Sequence, residues 1–189
     1  GDEDAYLALH HALGTTEQAA AYRLPPGSAA HELVSIFAAD AGLASWLRAT
    51  HGPASQLLHH TSALVAGLLH QRGSVATGRQ LYLHLVGHEL TLLVLGTQLE
   101  FCNVFAISTP EDVVYYTILV MQELGLSPDR DAVTIWGELA GDSAIFTQLA
   151  TYVRHLRFGR RPFGLSYSYR LNELAESRYF ELFSLAFCQ

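Results

Sequence analysis

Apolar and polar positions alternate most regularly in the second half of this chain. Residues 80–86, 90–95 and 99–107 are three apolar runs separated by Gly87-His88 and Gly96-Thr97, short glycine links of the kind that join antiparallel strands. Thr109-Pro110-Glu111-Asp112 then signals a helix start, with a threonine cap, proline at the first helical position and acids in the first turn. Val113, Tyr116, Ile118, Val120 and Leu124 carry that helix to Gly125. Residues 132–136 form a short apolar run that predicts a buried strand. Asp142 or Ser143 caps a helix through Ile145, Leu149, Tyr152 and Val153, and residues 156–158 make a short strand. A loop over residues 159–174 leads to a last helix, expected to begin near Ala175 and to carry Tyr179, Phe180, Leu182, Phe183 and Leu185. A meander followed by crossover units predicts an α/β fold with a mixed five-stranded sheet and helices on its faces.

The first part of the chain is less regular. Residues 5–13 and 19–24 suggest a hairpin around Gly14-Thr15-Thr16, stopped by Pro25-Pro26-Gly27. Residues 32–38 predict a strand, Asp40 a helix cap, and Leu43, Trp46 and Leu47 a helical stripe ended by Gly52-Pro53. A strand at residues 56–60 and a helix over 62–71 would complete a β-α-β-α run, and the polar segment from Gly73 to Gly78 marks a boundary. Two units follow, residues 1–73 and 79–189. The order in the second unit resembles the ribonuclease H-like fold, and the first unit resembles a partial repeat of it. Two such lobes in tandem, with nucleotide held between them, are how actin-like ATPases are built. That likeness implies that the first lobe's meander and first helix lie upstream of Gly1 or have been cut away, with the initial hairpin as an insertion. The start at Gly1 and an acidic stretch, without methionine, accords with that expectation.

Four segments carry a closer resemblance. They are Leu81-Tyr82-Leu83-His84-Leu85-Val86, Ser108-Thr109-Pro110-Glu111-Asp112-Val113-Val114-Tyr115-Tyr116, Trp136-Gly137-Glu138-Leu139-Ala140-Gly141-Asp142-Ser143 and Arg178-Tyr179-Phe180-Glu181-Leu182-Phe183-Ser184-Leu185. His59-His60-Thr61-Ser62-Ala63-Leu64 adds a weaker match in the first unit. Together they resemble a bacterial family, found mainly in Bacteroidetes, known as domain-of-unknown-function 3822. The resemblance implies an actin-like fold similar to the pilus-assembly and division ATPases, with no assigned activity. It also implies where nucleotide elements would fall. An active lobe needs an Asp-x-Gly hairpin, whose carboxylate holds the magnesium water shell and whose glycine lets backbone N–H groups approach phosphate. Here the aspartate position is His84, the first glycine is Val86, and Gly87 alone is retained. The Gly-Gly turn that admits adenosine falls on Gly137 and Glu138, where a carboxylate would repel nucleotide. These five residues form a degenerate nucleotide-binding set. A ribonuclease H-type nuclease is disfavoured too, because His84 replaces the first-strand acid and Val133-Thr134-Ile135-Trp136 contains none.

Composition narrows the remaining chemistry. The formal net charge is −7 and all eleven cations are arginine, which opposes nucleic-acid binding and removes lysine chemistry. Cys102 and Cys188 each sit in an apolar run and are expected to be reduced core residues. No apolar run is long enough to span a bilayer and no signal-peptide pattern appears, so a cytoplasmic protein without a membrane span is expected. His10-His11, His59-His60 and the pair His84 and His88 lack metal-site spacing, and doublets on strands would point to opposite faces, so no metal and no cofactor are expected. Ser143 and Ser166 lack a nucleophile-elbow pattern. Arg154, Arg157, Arg160, Arg161 and Arg170 concentrate positive charge beside Phe158, Phe163, Tyr167 and Tyr169 in the long loop. The expected partner-binding set is Arg157, Phe158, Arg160, Arg161, Phe163, Tyr167 and Tyr169, docking an acidic protein. An unpaired edge at residues 32–38 or 56–60 would also favour a homodimer. The expected function is a non-catalytic actin-like scaffold or interaction module, with a nucleotide-dependent ATP switch as the alternative.

Overall fold

A computed structural model of the protein describes residues 2–25, 32–72 and 78–188. The chain begins with α1 (Asp2–Leu7), followed by β1 (Glu17–Arg23) and β2 (Val34–Asp40), which pair antiparallel with Glu17 opposite Asp40. α2 (Ala41–His51) is capped by Asp40, whose Oδ1 accepts the Leu43 N–H at 2.7 Å, and Gly52 ends it. α3 (His60–Arg72) leads to the larger sheet.

That sheet contains β3 (Gln80–Val86), β4 (Glu89–Leu95), β5 (Leu99–Ala106), β6 (Val133–Gly137) and β7 (Leu156–Phe158) in the order β5-β4-β3-β6-β7. The first three are antiparallel, whereas β6 is parallel to β3 and β7 to β6, which is the mixed sheet that the apolar pattern predicts. α4 (Pro110–Glu123) starts in a capping box: Thr109 accepts from the Asp112 N–H, and the Asp112 carboxylate accepts from the Ser108 and Thr109 N–H groups. These bonds hold Asp112 below its ordinary pKa. Ser143 caps α5 (Ala144–Tyr152), and the chain closes with α6 (Phe180–Ser184) and a 3-10 turn at Leu185–Phe187.

The central strands are apolar on both faces because both are covered. Leu81, Leu83, Leu90, Leu92, Val133 and Ile135 pack with Val113, Val120 and Met121 of α4 and Leu149 of α5. On the opposite face Tyr82, Leu93, Leu95 and Trp136 pack with Ala63, Leu64, Val65 and Leu68 of α3 and with Phe180 of α6. α3 and α6 cross closely at Gly67, where a Cβ would lie 2.0 Å from Ser184 Oγ. Tyr22 of β1 joins this second core and donates to the Cys188 carbonyl at 2.7 Å.

Several local expectations are corrected. The hairpin between residues 5–13 and 19–24 does not form: residues 2–7 are a helix, whose first turn favours the acids Glu3 and Asp4, and β1 takes β2 as its partner. Residues 56–59 are not a strand, so the β-α-β-α run is replaced by an antiparallel pair and two helices. The last helix begins at Phe180 instead of near Ala175, because Tyr179 adopts the left-handed conformation (φ 60°) and breaks the helical path. The long loop contains a 3-10 turn at Tyr169–Glu173. Cys102 is exposed on β5 instead of lying in the core, whereas Cys188 is buried; both are free. Pro26, Gly27 and most of the segment from Gly73 to Gly78 lie outside the described residues.

Candidate functional site

His84 lies near the end of β3, opposite Thr91 of β4 and Trp136 of β6. The alternation of the strand turns it to the α3–α6 face, where it is 2% exposed and its Nε2 lies 2.7 Å from Glu181 Oε2 of α6. His60, at the start of α3, approaches from the same side, with its Nε2 3.2 Å from Thr91 Oγ1 and its ring centroid 6.5 Å from that of His84. His59 lies 4.3 Å from His60, centroid to centroid, so this doublet converges at a helix start instead of diverging along a strand. A cavity of about 170 Å³ remains between His60, His84, Val86, Glu89, Thr91 and Glu181.

The electrostatics follow from this crowding. Burial, together with the nearby His59 and His84, lowers the pKa of His60 to about 4 and keeps its ring neutral. Burial also lowers His59. For Glu181 burial pushes the pKa up, but the hydrogen bond and charge of His84 outweigh it and leave the carboxyl below its ordinary value. Among the described residues no group of three or more His, Cys, Asp or Glu is placed to hold a metal ion.

The other residues expected to form a degenerate nucleotide set, Val86, Gly87, Gly137 and Glu138, lie at or just beyond the ends of β3 and β6. Gly87 makes the β3–β4 turn at φ 55°, Val86 is half-exposed at the strand end, and His88 sits in the turn apart from His84. Gly137 ends β6 at φ 128°, and a Cβ there would lie 2.1 Å from the Leu85 carbonyl oxygen. Only glycine permits that approach. Its N–H donates to the Ser177 carbonyl at 2.9 Å, so the chain itself occupies this backbone donor; Glu138 is exposed beside it. Glu181, His60 and Thr91 are the members of this site that sequence reasoning missed. The one signal was the alternation of Gln80, Tyr82 and His84, polar or part-polar residues on one face of β3, with apolar residues on the other.

The arginine and aromatic set divides into three. Arg161 is used internally, donating to the carbonyls of Leu171 and Leu174 and lying 5.6 Å from the Tyr167 ring centre, while Tyr167 packs edge-on against Phe183. Phe163 and Tyr169 face outward, 54% and 77% exposed, with Phe163 beside His70. Arg157, Phe158 and Arg160 instead line a cavity of about 570 Å³ together with Leu68, Gln71, Arg72, Gln80, Tyr82, Thr134, Trp136 and Gly159. Sequence reasoning did not find Arg72 or Trp136 there, since they come from α3 and β6. A further apolar groove of about 530 Å³ runs between α4 and α5, lined by Val114, Tyr115, Ile118, Leu119 and Tyr152 with polar residues at its ends.

The described residues contain no helix long and apolar enough to cross a membrane. No curated protein sequence matches the chain. Among solved structures it superposes on a Bacteroides thetaiotaomicron VPI-5482 protein of actin-like ATPase fold and unknown function, with TM-score 0.77 and 15% identity, over 100% of this chain and 65% of that one. It also superposes on a chain of a PilM-PilN type IV pilus biogenesis complex, with TM-score 0.55 and 17% identity, over 100% of this chain and 72% of the other. Identities this low show the fold alone, and the chain spans 65% of the length of the first of these structures. The family described as Protein of unknown function (DUF3822) matches residues 1–156. The chain therefore belongs to the DUF3822 family and has the actin-like ATPase fold.

Proposed function

We propose that this protein is a non-catalytic actin-like scaffold of the cytoplasm that works by binding another protein, with no cofactor. Residues 79–189 would form its ribonuclease H-like lobe and residues 1–73 part of a neighbouring one. The observation that carries the reading is the His84–Glu181 contact at 2.7 Å. Where the fold would place a solvated magnesium-binding carboxylate there is a buried imidazole tied to a helix, and the Gly137 N–H at the adenosine turn is already bonded to Ser177. The outward Phe163 and Tyr169 offer aromatic contacts, and the exposed Arg160 a cationic one, of the kinds that suit an acidic partner. The exposed α4–α5 groove is a second apolar surface of the kind found at interfaces. The PilM chain, similar in fold, is itself seen in a complex with PilN, and a second copy of this chain remains a partner to test.

A thermal melt with ATP and magnesium tests the proposal. Nucleotide at about 100 times its dissociation constant stabilises a fold by roughly 2.7 kcal/mol, which raises the melting temperature of a protein this size by about 5–10 °C. A flat melt is expected. A rise of that size, abolished in the Glu181→Ala variant, would overturn the scaffold reading in favour of a nucleotide-dependent switch.

A further inference from the structure

We propose that the cavity between the last turn of α3 and the β3-β6-β7 side of the sheet binds a small organic anion through a carboxylate or phosphate group. The proposal goes beyond the scaffold reading and does not depend on it. Tyr82, Thr134 and Arg157 are register partners and form one rung across three strands, on the face that α3 flanks. The hollow above this rung measures about 570 Å³, within the range of about 300–1,000 Å³ typical of small-molecule sites.

Its charge is opposite to that of the protein. Arg72, Arg157 and Arg160 line it and, among the described residues, no carboxylate does, in a chain whose formal net charge is −7. Such a concentration of one sign attracts the other. The guanidinium groups differ in what they leave available. Arg72 donates to the Leu95 and Gly78 carbonyls, so it supplies charge to the wall more than direct bonds. Arg157 is held by one bond, Nε to Thr134 Oγ1 at 3.1 Å, and its two terminal amino groups meet no acceptor among the described residues. Arg160 has only a 3.8 Å approach to Glu176, with both side chains exposed. Such a contact yields readily to a better-placed oxyanion, because guanidinium matches carboxylate and phosphate with paired donors. Gln71 Oε1 in the same lining is buried without a hydrogen-bond partner, an acceptor left for a ligand donor.

The remaining wall combines Gln80 and Thr134 with Leu68, Phe158 and the rings of Tyr82 and Trp136. Trp136 Nε1 donates to the Arg160 carbonyl at 3.0 Å, and its ring lies so close to Gly159 that a Cβ there would sit 1.8 Å from it. A fixed aromatic wall beside guanidinium groups suits a molecule with both a carbon skeleton and an anionic end, and pre-organisation lowers the cost of binding it.

Trp136 is also the reporter. In a Trp46→Phe background, which removes the exposed tryptophan of α2, the full chain is titrated with inorganic phosphate, malate and an acidic hexaglutamate peptide at constant ionic strength set by sodium chloride. The expected result is a saturable change in Trp136 emission with phosphate or malate, weakened about tenfold or more by Arg157→Gln with Arg160→Gln. Phosphate alone responding supports a phosphorylated ligand; malate alone responding supports a carboxylic acid. Arg160→Gln by itself, at a largely exposed side chain, gives a second measure if the double variant melts early. No saturable response to either small anion, an equal response to sodium chloride, or an undiminished response in the arginine variants would overturn the proposal. A response to the peptide alone would overturn it as well and make the cavity part of the partner surface.

Discussion

Where α3 begins, His60 loses water on folding without gaining a counterion of its own. Its pKa falls to about 4 through burial and through His59 and His84, with Glu89 and Glu181 pulling the other way. An unfolded histidine titrates near 6.5, so between those values the unfolded chain binds a proton that the folded chain refuses. Stability is therefore lost as the pH falls from about 6.5 towards 4, and His59, lowered by burial with Glu89 opposing, acts in the same direction. Glu181, its carboxyl held low, adds a further loss only at more acid pH, as it is protonated. Melting the protein at pH 7 and pH 5 should reveal a loss of about 1–2 kcal/mol, allowing for partial solvent screening. The His60→Asn variant should flatten that dependence; an unchanged slope would remove His60 as its source. The family resemblance drew attention to His84 only as the position where an aspartate is expected. It did not reveal Glu181, which comes from 97 residues further on and meets His84 only through packing of α6.

The meander and its crossover helices were legible because every local signal agreed. Strand alternation, Gly87 in the turn and the Thr109 box all point to the same boundaries. The β1–β2 pair was not legible. Ala5-Tyr6-Leu7-Ala8-Leu9 fits either a helical or an extended pattern, and what decides it is the acids before it and the long pairing that β2 offers β1. The absent strand at residues 56–59 has a similar origin, since a short apolar run becomes a strand only where an edge is available to it. The pair is tied to the second core through Tyr22, whose hydroxyl is buried against the Cys188 carbonyl and whose pKa burial raises to about 12. Tyr22→Phe keeps the ring and leaves that carbonyl without its donor. A loss of about 1–2 kcal/mol is expected, read as a melting temperature lower by roughly 2–8 °C. Amide exchange should speed up in residues 17–23 and 34–40 more than in β3 and β4. Uniform acceleration across both sheets would show that Tyr22 does not act as a local tie.

At the scale of the whole molecule, the boundary placed at the segment from Gly73 to Gly78 divides the sequence more cleanly than it divides the packing. α3 precedes that boundary, yet its Leu64, Val65 and Leu68 are 1%, 5% and 2% exposed within the core that covers one face of the larger sheet. Without α3 that face would present Tyr82, Leu93, Leu95, Trp136 and Phe180 to water, with α6 alone to shield it. Burying the three aliphatic side chains contributes roughly 5–9 kcal/mol, against a total stability of about 5–15 kcal/mol for an ordinary domain. The sequence could not show this, because a helix after β2 and a helix above β4 look identical until the chain is folded. Residues 79–189 expressed alone should therefore lack a cooperative melt and bind a hydrophobic dye, despite containing every strand of the five-stranded sheet. Restoring residues 53–78 should bring back the cooperative transition, even without β1 and β2. If residues 79–189 melt cooperatively within a few degrees of the full chain, α3 is an accessory of the lobe and the division at Gly73 to Gly78 is also the folding boundary. If only the longer piece does so, α3 belongs to the second lobe's core, and any hinge between lobes has to lie before residue 60.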